Sequence, residues 1–356
     1  MKHYDYLIVG QGLAGTVLAH RLLQENKKVL LVDNINKNAA SSVAPGMYNP
    51  MVLKRFTKCW NVEKQLPYMY EFLDSFENEN NLKIHDKFPL YRILHSVKEQ
   101  NSWSEASDKK SLSDFMSDEI ESFNNEGVIS NFGLGKLNNA GRVHISKMLF
   151  VFRERLISNN DFLDEEFSHD NLMNVENCFI YKNYKIKKVV FCEGFGMIDN
   201  PIFSYLPLVG TKGELIEIYS PMLKLDKLLK GSVFILPLGN DYYKVGATFN
   251  WKDKSISITE EARLDLQSKL EEIITVPYEI VKQTAGIRPT VKDRRPLMGV
   301  HPEYNNIYLF NGLGTRGLLI SPYLAKQMYD FLEHGVDLDP ECNISRFDNL
   351  YYQNKN

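Results

Sequence analysis

Six residues near the start of the chain have a spacing that suits the binding of a pyrophosphate. They form the pattern G-x-G-x-x-G and are Gly10, Gln11, Gly12, Leu13, Ala14 and Gly15. In such a pattern the first glycine permits a tight turn, the second lets the backbone approach a phosphate, and the third allows a helix to pack closely on a strand. Asp33 follows at a spacing suited to accepting hydrogen bonds from ribose hydroxyls. The pattern predicts a dinucleotide site; the alternative is a glycine turn in an ordinary α/β protein, with Asp33 as a solvated strand end.

The residues around these glycines have the periodicity of a strand, a helix and a second strand. Residues 4–9 are β-branched and aromatic, apolar residues recur at helical spacing from Leu13 to Leu22, and residues 29–32 form another apolar run. Two strands joined by a single helix must run parallel. We therefore predict a βαβ unit whose helix presents its N-terminus to the phosphates.

Serine and glycine residues elsewhere could also contact a cofactor. Ser41 and Ser42 can hydrogen-bond phosphate or ribose oxygens. Gly46 would let the backbone pass close to a flat ring, and Gly194 follows an apolar run where a similar close approach is expected. These residues extend the predicted cofactor site beyond the first glycine pattern.

Arg288 is our candidate for substrate recognition. It lies in the sequence Ala-Gly-Ile-Arg-Pro at residues 285–289, and its guanidinium has the planar two-donor geometry that matches a carboxylate. Holding a carboxylate would orient the adjoining carbon atom of a substrate. The alternative is a structural ion pair with Asp293, and we interpret Arg294 and Arg295 as structural.

Several blocks together resemble the D-amino-acid oxidase and glycine oxidase family of flavoproteins, in that family's order. They are the first glycine pattern, residues 41–46, residues 212–214, Leu236 with Pro237, residues 246–248, residues 285–299 and residues 311–317. The resemblance implies FAD as the cofactor. It implies non-covalent binding, because residues 288–299, where some relatives anchor the flavin, contain no cysteine. It also implies oxidation of the C–N bond of an amino acid or N-substituted amine by hydride transfer to flavin N5, followed by hydrolysis of the imine.

The resemblance also assigns the glycine loop at residues 311–317 to the flavin. Backbone N–H groups there, and the positive end of the following helix, would face the negative edge of reduced flavin. Arg316 either adds a positive charge to that edge or contacts solvent or a carboxylate elsewhere. The implied cofactor-binding residues are Gly10, Gly12, Leu13, Ala14, Gly15, Asp33, Ser41, Ser42, Gly46, Gly194, Gly312, Gly314, Thr315, Arg316 and Gly317.

Two positions depart from the family pattern. The amino-acid oxidases have a tyrosine three residues before the strand proline, where this chain has Phe234, and a phenyl ring cannot donate a hydrogen bond. Tyr48, Tyr242 or Tyr243 could supply the missing hydroxyl. Glu193 replaces a small residue and has no assigned role. The residues we predict to contact substrate are Arg288, Phe234 and Tyr48.

The expected fold class is α/β, with a Rossmann-like FAD-binding domain and a discontinuous α+β substrate domain built on a mixed sheet. The FAD-binding domain is assigned to residues 1–75, 140–205 and 286–350, and the substrate domain to residues 76–139 and 206–285. Strand-like segments between residues 210 and 285 are the reason for the mixed sheet.

Helical periodicity predicts helices over residues 143–157, over residues 260–274 after a Thr259 cap, and over residues 318–332. Residues 97–126 are rich in polar side chains and are expected to form an exposed connection.

The bulk composition excludes some classes of function. The 42 basic and 45 acidic residues give a net charge of −3, so a nucleic-acid or anionic-membrane partner is not expected. The cysteines are far apart and lack the spacing of a zinc site or a disulfide framework. No apolar run reaches the length of a membrane span, and a cytoplasmic protein is expected.

Two rival functions remain open. The chain also resembles the flavin domain of the bifunctional enzyme that modifies the tRNA wobble uridine, in which a carboxymethylaminomethyl group is cleaved oxidatively. A partner-dependent flavoprotein subunit without activity of its own is the other. The sequence also leaves open whether oxygen or a quinone reoxidises the flavin.

Overall fold

The computed structural model describes residues 1–35 and 39–355. The strands, in chain order, are β1 (Lys2–Val9), β2 (Val29–Asp33), β3 (Met47–Tyr48), β4 (Met51–Val52), β5 (Thr57–Lys58), β6 (His85–Lys87), β7 (Leu90–Ile93), β8 (Met116–Glu121), β9 (Leu134–Leu137), β10 (Gly141–Val143), β11 (Phe162–Asp164), β12 (Leu172–Val175), β13 (Cys178–Tyr181), β14 (Tyr184–Phe191), β15 (Thr211–Tyr219), β16 (Leu228–Lys230), β17 (Phe234–Gly239), β18 (Tyr242–Gly246), β19 (Glu279–Arg288), β20 (Leu297–Val300) and β21 (Ile307–Asn311). The α-helices are α1 (Leu13–Gln24), α2 (Ala40–Val43), α3 (Val62–Asn80), α4 (Val97–Ser107), α5 (Ile145–Ser158), α6 (Glu260–Glu271), α7 (Gly317–His334) and α8 (Asp348–Lys355).

The first large sheet contains the βαβ unit that the sequence predicts. Its strands follow the order β11-β2-β1-β14, and β21 pairs with the second half of β14. These pairings are all parallel, so the carboxyl ends of the strands meet at one edge. Helices α1 and α7 pack against each other. The loops after β1, β2, β14 and β21 therefore lie close together, which is where ligands bind in open α/β sheets.

The second large sheet is mixed, as the sequence predicts. Its order is β19-β15-β18-β17-β16-β7-β9-β8, and every pairing is antiparallel except β16 with β7. Apolar residues of β15, β17 and β18 pack under α6 in a separate core. The α/β fold with a mixed-sheet unit is confirmed.

The expectation of an exposed connection over residues 97–126 was wrong. The segment forms α4 and β8, because it has both a cap and a buried anchor. The Ser96 side chain accepts a hydrogen bond from the backbone N–H of Glu99, and it caps α4. Trp103 is fully buried, and its indole N–H donates to the Ser117 carbonyl at 2.9 Å. One large apolar side chain thus holds a mostly polar segment in place.

The three predicted helices are present as α5, α6 and α7, and α6 ends three residues before the expected residue 274. The Thr259 hydroxyl accepts a hydrogen bond from the Ala262 N–H at 3.2 Å, which confirms the predicted cap. Within the described part of the chain, no helix combines the length and the apolarity needed to cross a membrane.

Candidate active site between the two sheets

A cavity of ≈ 930 Å³ extends from the carboxyl edge of the first sheet to the face of the second. Gly10, Gly12 and Asp33 line one part of it, whereas Phe234 and Arg288 line another. The turns after parallel strands supply the first group, and strands β17 and β19 of the mixed sheet supply the second. Residues far apart in the chain are thus brought to one elongated cavity.

The glycine pattern has the geometry that a phosphate-binding turn requires. Gly10 has φ +98°, and a Cβ atom there would lie 2.7 Å from the Cys192 carbonyl oxygen. A Cβ atom on Gly15 would lie 1.9 Å from the Gly10 carbonyl oxygen, so only glycine allows α1 to pack this closely. Gly12 differs, because its nearest neighbour would be the Ser41 hydroxyl at 3.5 Å. Gly12 therefore faces open space where a phosphate can approach.

Asp33 and Ser41 border this turn. The Asp33 carboxylate accepts hydrogen bonds from the backbone N–H groups of Gln11 and Asn34, both at 3.0 Å. The Leu13 N–H donates to the Ser41 hydroxyl at 3.1 Å. Both side chains also line the cavity. Together they give the site hydroxyl and carboxylate oxygens beside the N-terminus of α1.

The loop after α2 and the loop after β21 form the next part of the cavity. Gly46 has φ +76°, and a Cβ atom there would lie 1.9 Å from the Val143 carbonyl oxygen. Gly314, Thr315 and Gly317 line the cavity at the start of α7. A Cβ atom on Gly317 would lie 3.1 Å from the Leu13 side chain, so the first turns of α1 and α7 are neighbours. Two positive helix ends therefore face the same cavity.

Arg316 also lines the cavity and holds a neighbouring loop. Its guanidinium donates hydrogen bonds to the carbonyl oxygens of Asn49 at 3.3 Å and Met51 at 3.1 Å. These bonds anchor the β3–β4 segment to the start of α7. The alternative considered from the sequence was a contact with solvent or a carboxylate, whereas the structure shows contacts with backbone carbonyls. A flavin contact of Arg316 stays a prediction.

Ser42 and Gly312 do not line the cavity. Ser42 is exposed, and its hydroxyl donates to the carbonyl of Ala39, the residue before α2, at 2.7 Å. Gly312 has φ +73°, and a Cβ atom there would lie 2.7 Å from the Val291 side chain. Gly194 does line the cavity, and its carbonyl accepts a hydrogen bond from Asn311 at 2.9 Å. The structure therefore divides the predicted cofactor residues into wall residues and supporting residues.

The Arg288 side chain lies in the cavity wall without a carboxylate partner among the described residues. Its Nη1 atom is 3.4 Å from the Thr248 carbonyl oxygen, and its Cζ atom is 4.5 Å from the centre of the Phe249 ring. Burial lowers the pKa of Arg288 to about 10. Asp293, the alternative partner, instead accepts a hydrogen bond from Arg346 Nε at 3.0 Å. A desolvated guanidinium without an acidic neighbour is suited to binding an anionic ligand.

The strand beside Arg288 makes room for its guanidinium. A Cβ atom on Gly213 would lie 2.1 Å from Nη2 of Arg288. Lys212 and Glu214, on either side, point to the opposite face of β15, as alternation along a strand requires. Lys212 Nζ lies 3.4 Å from Glu214 Oε1, and Glu214 accepts a hydrogen bond from the Thr259 hydroxyl at 2.9 Å. The Lys-Gly-Glu sequence thus combines a buried ion pair on one face with an open cavity wall on the other.

Aromatic residues complete the part of the wall around Arg288. The Phe234 ring lines the cavity and is 7% exposed. Tyr48 lines it as well, but its hydroxyl lies 2.7 Å from His85 Nε2, and burial raises the Tyr48 pKa. Tyr243 accepts a hydrogen bond from the Leu225 N–H on the far face of the sheet, and Tyr242 packs on Tyr219. Of the three tyrosines considered, only Tyr48 borders the cavity, and its role stays a prediction.

Comparison with known protein families identifies the family of this chain. A sequence profile of the DAO family, described as FAD dependent oxidoreductase, matches residues 5–330. The chain belongs to this family of FAD-dependent oxidoreductases. The expected family and the expected cofactor, FAD, are therefore confirmed.

Individual relatives agree with this assignment. Glycine oxidase from Bacillus subtilis is 22% identical to this oxidoreductase over 349 residues, which cover 93% of each chain. The tRNA 5-methylaminomethyl-2-thiouridine biosynthesis bifunctional protein from Marinobacter nauticus is 25% identical over 186 residues, which are 46% of this chain and 30% of that protein. Among solved structures, iminodiacetate oxidase from Chelativorans sp. BNC1 superposes with a TM-score of 0.77 at 15% identity, covering 96% of this chain and 98% of the other. The structural likeness shows a shared fold.

The residues around the cavity fit FAD. The open side of Gly12 and the N-terminus of α1 suit the pyrophosphate, and the Asp33 carboxylate suits a ribose hydroxyl. The backbone N–H groups in the first turn of α7 would suit the negative charge that the flavin ring system acquires on reduction. The residues in this part of the cavity are therefore suited to the cofactor.

Two residues that line the cavity were not predicted from the sequence. Phe249 stacks on Arg288. In the sequence it is one of several aromatic residues in a predicted strand, so nothing there distinguishes it as a site residue. Lys230 ends β16 and lines the cavity, although a single lysine after an apolar run normally indicates a solvated strand end. Their positions depend on the pairing of β16, β17 and β18, which no local pattern reveals.

Proposed function

We propose that this oxidoreductase oxidises the C–N bond of an amino acid or N-substituted amine that carries a carboxylate, giving an imine that water hydrolyses. The observation that supports this most strongly is the Arg288 guanidinium, which is desolvated in the cavity wall and pairs with no carboxylate among the described residues. A substrate carboxylate would satisfy it through charge-assisted hydrogen bonds. The names of two relatives, glycine oxidase and iminodiacetate oxidase, denote enzymes acting on such amines.

The residues of this chain bind and orient the substrate. Arg288 would hold the carboxylate, and its stacking on Phe249 and its contact with the Thr248 carbonyl restrict the directions that the guanidinium can take. Phe234 and Leu215 give the reacting centre an apolar wall that excludes water. When bound, FAD supplies the redox chemistry by accepting a hydride from the substrate carbon.

We propose that Gly10, Gly12, Asp33, Ser41 and the first turn of α7 hold the cofactor non-covalently. Their support is the geometry of the turn and of the two helix ends described above. The division into an FAD-binding domain (residues 1–75, 140–205 and 286–350) and a substrate domain (residues 76–139 and 206–285) is also proposed. The two large sheets largely follow it, although the boundary at residue 285 falls inside β19.

An anaerobic titration tests the proposed reaction. The yellow holoenzyme is mixed with glycine, D-alanine, sarcosine and longer N-alkyl glycines, and the flavin absorbance is followed. We expect carboxylate-bearing amines to bleach the flavin much faster than the corresponding amides do. Bound FAD that none of these amines reduces would instead support a partner-dependent subunit.

A second candidate is oxidation of a modified uridine in tRNA, and the relative from Marinobacter nauticus supports it. An N-carboxymethyl amine on a nucleoside would present the same carboxylate and C–N bond to Arg288. Incubation with tRNA that carries carboxymethylaminomethyl uridine, followed by nucleoside analysis, tests this candidate. Loss of the carboxymethyl group at a rate above that of free N-alkyl glycines would favour it.

A further inference from the structure

Lys230 faces the same cavity as Arg288 but belongs to a distant strand of the mixed sheet. It pairs directly with Phe234 across β16 and β17. Directly opposed residues on neighbouring strands point to the same face of a sheet. Both side chains accordingly line the cavity. Lys230 is therefore part of the wall and not a solvated strand end.

The amine of Lys230 is not neutralised within the described residues. Its Nζ atom donates hydrogen bonds to the Gly231 and Ser232 carbonyl oxygens, both at 3.1 Å. An ammonium has three N–H donors, so one donor and the positive charge remain available. Burial, together with the cations Arg92 and Lys269, lowers the pKa of Lys230 to about 8. Nearby carboxylates have other partners: Glu99 pairs with Arg92, Asp265 pairs with Lys269, and Glu272 accepts a hydrogen bond from the Ser232 hydroxyl. Among the described residues, none forms an ion pair with the Lys230 amine.

The two cationic positions lie far enough apart to recognise opposite ends of one molecule. Lys230, Phe234, Gly246 and Leu215 form a row of paired residues across β16, β17, β18 and β15. With about 4.8 Å per strand, the row spans about 14 Å of backbone. Arg288 lies one strand further, on β19, and four residues along that strand from Thr284, which is the partner of Leu215. The wall between the two cations is apolar, because Phe234 and Leu215 face the cavity there.

We propose that Lys230 binds a second acidic group, a carboxylate or a phosphate, at the end of the substrate remote from the oxidised amine. This inference rests on the proposed function, since it takes Arg288 as the site of the first carboxylate. Glycine and alanine are too short to reach both cations, so the subsite selects longer substrates with an anionic tail. Lys230 is a specificity-determining residue, and it takes no part in the oxidation.

Equilibrium binding tests the subsite without requiring turnover. Unbranched dicarboxylates of increasing length are titrated into the holoenzyme, and flavin absorbance or calorimetry gives their dissociation constants beside those of monocarboxylates of the same length. We expect one range of lengths in which the second carboxylate tightens binding by about tenfold or more. Lys230→Gln, which keeps N–H donors for the two carbonyls, should remove this advantage and leave monocarboxylate binding unchanged.

Lys252→Gln is the matched control, because Lys252 is exposed and lies outside the cavity. It should keep the advantage. Phosphonocarboxylates are measured in the same assay. If they bind more tightly than dicarboxylates of the same length, the tail is a phosphate, and if they bind less tightly, it is a carboxylate. The proposal would be overturned if dicarboxylates of every length bound no more tightly than monocarboxylates. It would also be overturned if dicarboxylates kept their tighter binding in Lys230→Gln. If no amine reduces the flavin but the Lys230-dependent advantage is present, the proposed oxidation fails and the subsite stands.

Discussion

The guanidinium of Arg288 lies against the backbone of Gly213 on the neighbouring strand, at a distance that leaves no room for a side chain. We therefore expect Gly213→Ala to displace the guanidinium and to raise KM for carboxylate-bearing amines by about 10- to 100-fold, the value of a charge-assisted hydrogen bond. Steady-state kinetics at matched FAD content measure this. An amine that lacks a carboxylate serves as the internal control, because its KM should not change. Unaltered KM for the carboxylate substrates would mean that the guanidinium does not bind them.

The Phe234 ring faces the cavity, so a hydroxyl added there can reach a ligand. Phe234→Tyr should improve glycine and D-alanine relative to larger N-substituted amines, by the 0.5–1.5 kcal/mol or so that one hydrogen bond contributes. Values of kcat/KM for the two groups of substrates, in both proteins, give the comparison. If glycine or D-alanine already serves the unmodified enzyme as well as larger amines do, Phe234 has no part in substrate choice.

Gly12 and Gly15 should fail in different ways when replaced. Gly12→Val fills the open side of the turn, so we expect a folded protein that has lost most of its FAD. Gly15→Ala places a methyl group against the Gly10 carbonyl, so overpacking should lower Tm even with excess FAD. Absorbance spectra and thermal melts separate the two outcomes. FAD retained by Gly12→Val would place the pyrophosphate elsewhere.

Denaturation of the protein by heat or acid should release unmodified FAD. Non-covalent binding is expected because residues 288–299 contain no cysteine that could attach the flavin. Precipitation followed by chromatography of the supernatant measures the released cofactor. Yellow colour that remains with the precipitated chain would show a covalent link.

The preference for an anionic tail should disappear as the pH rises through about 8. Lys230 has a lowered pKa, so it is charged below that value and neutral above it. Dissociation constants of dicarboxylates and monocarboxylates from pH 6 to pH 9 would measure the effect, and Lys230→Gln should show none. The other charged groups around Lys230 form two ion pairs, Arg92 with Glu99 and Lys269 with Asp265. Glu272 is also nearby and accepts a hydrogen bond from the Ser232 hydroxyl.

The local parts of the site could be predicted from the sequence. The turn at Gly10 and Gly15 follows from steric needs that only glycine meets, and the Thr259 cap follows from one hydroxyl before a helical pattern. The choice of FAD came from resemblance, because the βαβ unit alone suits any dinucleotide.

The non-local parts could not be predicted. Residues 97–126 were expected to form an exposed connection because they are mostly polar. The contribution of Trp103 could not be foreseen, since it depends on packing against Phe56 and Gly135 outside this segment. Lys230 was not predicted as a site residue, because its position beside Phe234 is set by strand register. Arg288 could be assigned to an ion pair or to a ligand until Asp293 was seen with Arg346. In each case the decisive contact joins residues whose pairing no local pattern encodes.

Rapid mixing of the anaerobic holoenzyme with an N-alkyl glycine and with its carboxamide, in the unmodified protein and in Arg288→Leu, tests the central claim most directly. The acid should reduce the flavin much faster than the amide in the unmodified protein. Arg288→Leu should remove about 2–4 kcal/mol of transition-state binding for the acid, or about 30- to 1000-fold in kcat/KM, and leave the amide and the FAD content unchanged. Arg295→Leu, which removes an exposed pair with Glu341, is the control. Equal rates for acid and amide in the unmodified protein, or loss of FAD or of the fold in Arg288→Leu, would contradict the assignment of Arg288 to the substrate carboxylate.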